Sequence, residues 1–251
     1  MAERPLLTSP GGIVPDHATS AVSALMPIGG TQAEKFHRNA IATTDTPEGA
    51  TGGSEEQGLF VNMSRVNHAC IANALHGSIR MSGQNIKLLV ASVDIPAGDE
   101  ITFPYNGIGC GAKVCGNRQV IFMKRWNFRC SCLACVDLEL GEKLVRAEEL
   151  DSSIMRLGSN QRFASAIRAG EALLKLYGPL CASPRMYSRT YYDLFQVAVT
   201  RKRTLSEAKK YIKAAARESS LFYGGDNDPT VIKFKHLANH PETHRNYLIC
   251  G

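Results

Sequence analysis

The pattern of apolar and polar positions divides the chain into a strand-rich first part and a helical second part. Residues 74–81 and 86–95 are rich in β-formers and flank the turn 82–85, which predicts a β-hairpin. Two further short strands are predicted at 58–63 and 101–103.

From residue 137 onward, apolar residues recur every three or four positions, which is typical of amphipathic helices. Ser183-Pro184 and Asp228-Pro229 predict two helix starts. Thr204-Leu205-Ser206-Glu207 has the pattern of a capping box, and Gly224 is expected to end that helix. Five helices joined by short loops predict antiparallel pairs, either stacked like tetratricopeptide repeats or forming an irregular bundle.

The other segments are connections. Residues 1–14 predict an extended or disordered lead-in, and 16–26 a short helix. Residues 43–57 and 106–117 are polar, glycine-bearing loops, the second of which is followed by a helical turn at 118–125.

The expected fold class is therefore α+β. We expect four segments: an insert-like region at 1–57, a strand-rich unit at 58–108, a cysteine-rich segment at 109–136 and a helical domain at 137–251.

Composition adds limits on the function. The 251 residues can bury a substantial core, and 44% hydrophobic with 21% charged residues is typical of a soluble globular protein. The chain lacks a basic segment followed by an apolar one at its start, so we expect an intracellular protein of the nucleus or cytoplasm, with no membrane partner. The net charge of +6 comes from bases scattered among acids, which makes direct nucleic-acid binding a weak alternative.

Three cysteines within six residues indicate a metal site. Cys130, Cys132 and Cys135 form a C-x-C-x-x-C cluster, whose spacing lets one loop turn three thiolates toward one ion. Zinc prefers four such ligands in a tetrahedron, so a distant residue must supply the fourth. From spacing alone the candidates are a histidine or one of the cysteines Cys70, Cys110 and Cys115.

Three linked stretches resemble a known family. They are S-R-V-N-H-A-C-I-A-N-A from residue 64, V-A-S-V-D-I-P-A-G-D-E-I-T-F-P-Y from residue 90 and W-N-F-R-C-S-C-L-A-C from residue 126. In this order they resemble the second half of a SET domain with its post-SET cysteines. The segment 35–41 and the helical region resemble SET-and-MYND proteins and their fungal relatives, although no MYND-type finger is recognisable in the sequence.

The resemblance implies a β-rich pseudoknot in which the N-H-x-C segment lies beneath the loop that carries a tyrosine. It implies that Cys70 joins the C-x-C-x-x-C cysteines on a structural zinc ion. It also implies that Asn67 and His68 contact S-adenosylmethionine, that Phe128 packs on its adenine, and that Tyr105 is catalytic and lines the cofactor site.

The chain departs from the family pattern at several positions. Ala69 and Ala72 replace a serine and a proline, and Pro104 precedes the tyrosine. The G-x-G-x-F segment that holds the amino-acid end of the cofactor has no counterpart upstream, so we expect an N-terminally shortened SET domain.

The functional expectation is a SET-type methyltransferase that acts on lysine in a histone or another protein. The alternative is a catalytically silent, zinc-stabilised scaffold that binds other proteins.

Overall fold

The computed structural model describes residues 1–7, 12, 14–42, 57–81, 84–105 and 115–250. Its strands are β1 (Ala2–Glu3), β2 (Ile41–Ala42), β3 (Gln57–Gly58), β4 (Asn67–His68), β5 (Ala74–Met81), β6 (Gln84–Ala91) and β7 (Thr102–Phe103). Its α-helices are α1 (Thr19–Ser23), α2 (Gln32–Asn39), α3 (Cys115–Trp126), α4 (Leu133–Val136), α5 (Leu138–Ser159), α6 (Phe163–Tyr177), α7 (Pro184–Ala198), α8 (Leu205–Tyr223) and α9 (Pro229–Asn239). The α+β class is confirmed, with 57% helix and 11% strand.

The predicted hairpin is confirmed. Strands β5 and β6 pair antiparallel from Ala74 opposite Ala91 to Met81 opposite Gln84, and β1 adds a third strand beside β6. The second strand ends at Ala91 rather than near residue 95, with one further hydrogen bond beyond it from Ser92 N to Asn73 O (2.8 Å).

The strand predicted at 58–63 is wrong beyond its first residue. Gly58 belongs to β3, which pairs with β2, and Leu59 makes only a single bridge to Leu7. Leu59 and Phe60 are both fully buried, so the inside–outside alternation of a strand is lost. The chain then enters a 3₁₀ turn at Met63–Arg65, and the Glu3 carboxylate accepts hydrogen bonds from the two amides that precede and open it.

Two short strands from distant parts of the sequence run side by side. Strand β4 pairs in parallel with β7, with Asn67 opposite Thr102 and His68 opposite Phe103. The Asn73 amide supports this pairing because it accepts from Thr102 N and donates to Glu100 O, both at 2.9 Å. The residue after β7 and Pro104 is Tyr105, which therefore lies beside the segment containing β4.

Helices α5 to α9 each pack on the next along the chain, and two apolar clusters fill the space between them. The predicted boundaries hold at Asp228, whose side chain caps Thr230 N, and at Gly224, which ends α8 with φ 75°. Gly170 of α6 lies against Leu194 of α7, and a Cβ there would come within 2.5 Å of the leucine.

The capping box predicted at 204–207 is wrong. Thr204 donates its hydroxyl to Ala198 O (2.6 Å) and makes no side-chain hydrogen bond that caps the start of α8. A capping box occurs instead at Thr31 and Glu34, where each side chain binds the other residue's backbone amide. In the part of the chain that the structure describes, no helix has the length and apolarity needed to cross a membrane.

Candidate metal centre and adjoining cleft

Four cysteines from two distant segments meet at one point. Cys70 follows β4, whereas Cys130, Cys132 and Cys135 lie just before and within α4. All four sulfur atoms lie within 4.8 Å of one another, and those of Cys70 and Cys135 are 3.7 Å apart. This is the set of ligands that the family resemblance implied.

The spacing of the sulfurs fits a tetrahedral metal ion. With zinc–sulfur bonds of about 2.3 Å, the sulfurs of a tetrahedral site lie about 3.8 Å apart. Of the other candidates for the fourth ligand, Cys115 contacts Cys135 O at 3.7 Å and is not in the cluster, and Cys110 lies outside the described residues. The four cysteines can therefore hold one metal ion.

A sharp reversal after α3 brings the C-x-C-x-x-C segment to the site. Asn127 adopts a left-handed conformation (φ 57°) and donates its amide to Met123 O, which caps the helix. Phe128 then stacks on Phe122 with ring centroids 5.4 Å apart. The Gln119 amide fixes the next cysteine by donating to Cys130 O (2.6 Å) and accepting from Cys130 N (2.9 Å).

The groups around the four cysteines favour thiolates that bind one cation together. Cys70 N donates to Cys132 Sγ (3.3 Å), and the fully buried Arg118 donates to Cys135 Sγ (3.8 Å) and Ala134 O (2.9 Å). Hydrogen bonds from the neighbouring thiols lower the pKa of Cys132, whereas hydrogen bonds to Cys130 and Cys132 raise the pKa of Cys70. Because the four sulfur atoms lie so close together, the thiols cannot all ionise unless a cation offsets their negative charges.

His68 lies between this cluster and Tyr105. Its Nδ1 accepts a hydrogen bond from Tyr105 N (3.1 Å), and its Nε2 is 3.5 Å from Cys70 Sγ. Burial lowers the pKa of His68 to about 4, although the negative charge of Cys132 and the carbonyl of Phe103 oppose the shift. The ring is therefore neutral at physiological pH.

A cleft of about 1250 Å³ opens beside the metal centre. Tyr105, Trp126 and Phe128 form an aromatic cluster in its lining, with the ring centroids of Tyr105 5.3 Å from Trp126 and 6.2 Å from Phe128. Burial raises the pKa of Tyr105, and its hydroxyl donates to Val66 O (2.9 Å). Asn67 also lines the cleft and donates its side-chain amide to Glu100 (2.6 Å).

The residues predicted to bind the cofactor thus line one cleft that adjoins the predicted metal ligands. Sequence reasoning missed Arg118 and Gln119, which support the cysteines from α3. The sequence did contain a signal, because residues 115, 118, 119 and 122 share one helix face. Arg118 lies on this face with Cys115 and Phe122, two residue types that are often buried, so it is a candidate for burial.

The fold and the site define an α+β protein with a cluster of four cysteines, able to hold a metal ion, beside an aromatic cleft. No protein-family model matches the chain, and no curated protein matches it.

Proposed function

We propose that the chain is a SET-type protein methyltransferase that transfers a methyl group from S-adenosylmethionine to a lysine side chain, with zinc in the four-cysteine site. The observation that supports the proposal most strongly is the parallel pairing of β4 with β7, which brings His68 into contact with Tyr105 and Cys70. Asn67 lines the same cleft. The pseudoknot threading and a tetratricopeptide-like stacking of the helical region belong to the same proposal.

The zinc ion would have a structural role. Four thiolates fill a tetrahedral site and leave no position for a water molecule or a substrate. Because Cys70 comes from the strand-rich part and the other three cysteines come from the segment around α4, the ion would join these two parts beside the cleft.

The cleft has room for the cofactor and for a lysine side chain. Sites for small molecules commonly enclose about 300–1000 Å³, and this cleft is larger. Phe128 offers an aromatic face on which an adenine can stack. The His68 ring is committed to Tyr105 N and Cys70 Sγ, so the main chain of His68 is the part that would contact the cofactor.

Methyl transfer requires alignment and a neutral amine. The bound cofactor supplies a methyl group on a positively charged sulfur, and the carbon–nitrogen bond forms as the carbon–sulfur bond breaks. A free lysine has a pKa of about 10.4, and an aromatic channel lowers this value by desolvation. Tyr105 stays protonated because burial raises its pKa. Its hydroxyl donates to Val66 O and can still accept from the amine, which would orient the nitrogen lone pair.

The test uses the full chain loaded with zinc. Calorimetry should detect binding of S-adenosylmethionine, and labelled cofactor should methylate lysine in a protein mixture such as core histones. Tyr105→Phe removes only the hydroxyl and should abolish transfer while leaving cofactor binding intact. Tyr187→Phe, in the helical region, is the matched control and should keep full activity.

A silent zinc-stabilised scaffold is the second candidate. The observation that favours it is the hydrogen bond from Asn67 to Glu100, because a side chain proposed to contact the cofactor already has a protein partner. This reading predicts that no cofactor binds to the zinc-loaded chain. Loss of transfer in Tyr105→Phe would exclude it.

A further inference from the structure

The two nitrogen atoms of His68 face two different parts of the site. Nδ1 receives the backbone N–H of Tyr105, and Nε2 faces the sulfur of Cys70. A backbone amide only donates, so Nδ1 carries no proton. A neutral imidazole then carries its proton on Nε2, which makes His68 a hydrogen-bond donor to the Cys70 sulfur.

The His68 ring has little freedom to turn away from these partners. Its centroid lies 4.3 Å from the ring of Phe122, 5.2 Å from Tyr105 and 6.0 Å from Phe128. Its backbone is fixed by the pairing of β4 with β7. A displacement of the Cys70 sulfur would therefore be passed to the ring and on to the main chain of Tyr105.

The strength of the contact with Cys70 depends on the state of the sulfur. A metal-bound cysteine is a thiolate and accepts a charge-assisted hydrogen bond, whereas a protonated thiol is a weak acceptor. Groups that donate to metal ligands commonly change metal affinity by about 10- to 100-fold when they are removed.

We propose that His68 is a positioning residue that couples metal occupancy of the cysteine site to the position of Tyr105 in the cleft. The inference rests on the proposed zinc centre but not on methyl transfer. Zinc would strengthen the bond from Nε2 to Cys70, hold the ring, and thereby fix Tyr105 through Nδ1.

The chain carries its own reporter for this coupling. Trp126 is its single tryptophan, and the ring lies 5.3 Å from that of Tyr105. Removal of zinc with a chelator should change the fluorescence of Trp126. Because this ring also packs against the cysteine cluster, the coupling is reported by the part of the change that is lost when His68 is replaced. Zinc affinity, measured by competition with a chelating indicator, is the second readout.

Two substitutions at position 68 separate the two hydrogen bonds. His68→Asn keeps a carbonyl oxygen near the place of Nδ1 but is too short to reach Cys70. His68→Gln places an amide N–H near the place of Nε2 but leaves no acceptor for Tyr105 N. His37→Asn, an exposed position of the same cleft, is the control and should match the parent in both readouts.

The expected results differ between the variants. His68→Asn should bind zinc about 10-fold or more weakly, with a Trp126 spectrum that resembles the zinc-loaded parent and responds less to zinc than the parent does. His68→Gln should bind zinc about as tightly as the parent, but with an altered spectrum whose response to zinc is also smaller than that of the parent. Circular dichroism would verify that each variant is folded.

Three results would overturn the inference. One is a parent-like fluorescence response to zinc in both variants, and another is parent-like zinc affinity in His68→Asn. The third needs no variant: a long-range ¹H–¹⁵N spectrum of the zinc-loaded parent that shows the proton of His68 on Nδ1. If elemental analysis finds no zinc in the parent chain, the proposed metal centre is wrong, and the inference about His68 is wrong with it. This result can be told apart from the other three, which leave the metal centre intact.

Discussion

Replacing Cys70 with alanine would remove the sulfur that joins the two distant segments of the proposed metal centre. The other three cysteines span only six residues, so a zinc ion bound by them alone would cross-link only one short loop. With Cys70 in place, a bound ion would close a loop of ~60 residues between Cys70 and Cys130.

The size of the effect follows from that loop. By analogy with disulfide cross-links, closing ~60 residues stabilises the folded state by about 4 kcal/mol relative to the open chain. In a protein of this size each kcal/mol shifts Tm by about 2–4 °C, so we expect Cys70→Ala to lower Tm by about 8–16 °C in the presence of zinc. Elemental analysis after dialysis should also show less zinc per chain than in the parent.

The assay is thermal unfolding of zinc-loaded protein, followed by Trp126 fluorescence. Cys132→Ala is the informative comparison, because it also removes one ligand but leaves Cys70, Cys130 and Cys135 to close the long loop. Its Tm should fall less than that of Cys70→Ala. Cys250→Ala removes a thiol that belongs to the helical core and should not change zinc content. A Cys70→Ala chain that keeps its zinc and melts within about 2 °C of the parent would show that Cys70 does not close the long loop.

Three further predictions concern the same fold. Arg118→Met should weaken zinc binding about 10- to 100-fold in chelator competition, whereas the exposed Arg125→Met should not, and equal affinities would contradict a role for the buried guanidinium. Burial raises the pKa of Cys135 to about 12, so its thiol is protonated in the metal-free chain at neutral pH and must release that proton to bind zinc. The affinity for zinc should therefore fall from pH 8 to pH 6, and an affinity that does not change over this range would contradict the prediction. Gly170→Ala should destabilise the chain by about 1–3 kcal/mol in urea unfolding. A Cβ at Gly178 would have no atom of the described residues within 4 Å, so Gly178→Ala should be neutral or slightly stabilising.

The parts of the fold that follow local chemistry could be predicted from the sequence. The hairpin at β5 and β6 follows from β-formers around a turn, and the end of α8 follows from the glycine that adopts positive φ. The three clustered cysteines were recognisable because their spacing alone limits the chemistry available to them. Cys70 could be assigned only through the family resemblance, since spacing left several candidates for the fourth position.

The predictions that failed depended on tertiary contacts. The apolar run at 58–63 looked like a strand, but Glu3 binds the amides of Asn62 and Met63 and turns the chain there. Thr204 had the spacing of a capping residue, yet its hydroxyl finds a carbonyl of the preceding helix. A pattern of residue types does not record which partner a polar group meets after folding, and in both cases that partner decided the local structure.

The metal centre and the helical region share part of their core. Ile71 and Leu144 pack both on the cluster around the cysteines and on the cluster between α5 and α6. Gly141 of α5 lies so close to α4 that a Cβ would come within 3.0 Å of Ala134 O, the same carbonyl that accepts from Arg118. The segment that carries three of the four cysteines is thus packed between α3 and α5. Helix α5 therefore supports the position of these cysteines in addition to opening the helical region, and a substitution at Gly141 would act on the metal site through the backbone of α4.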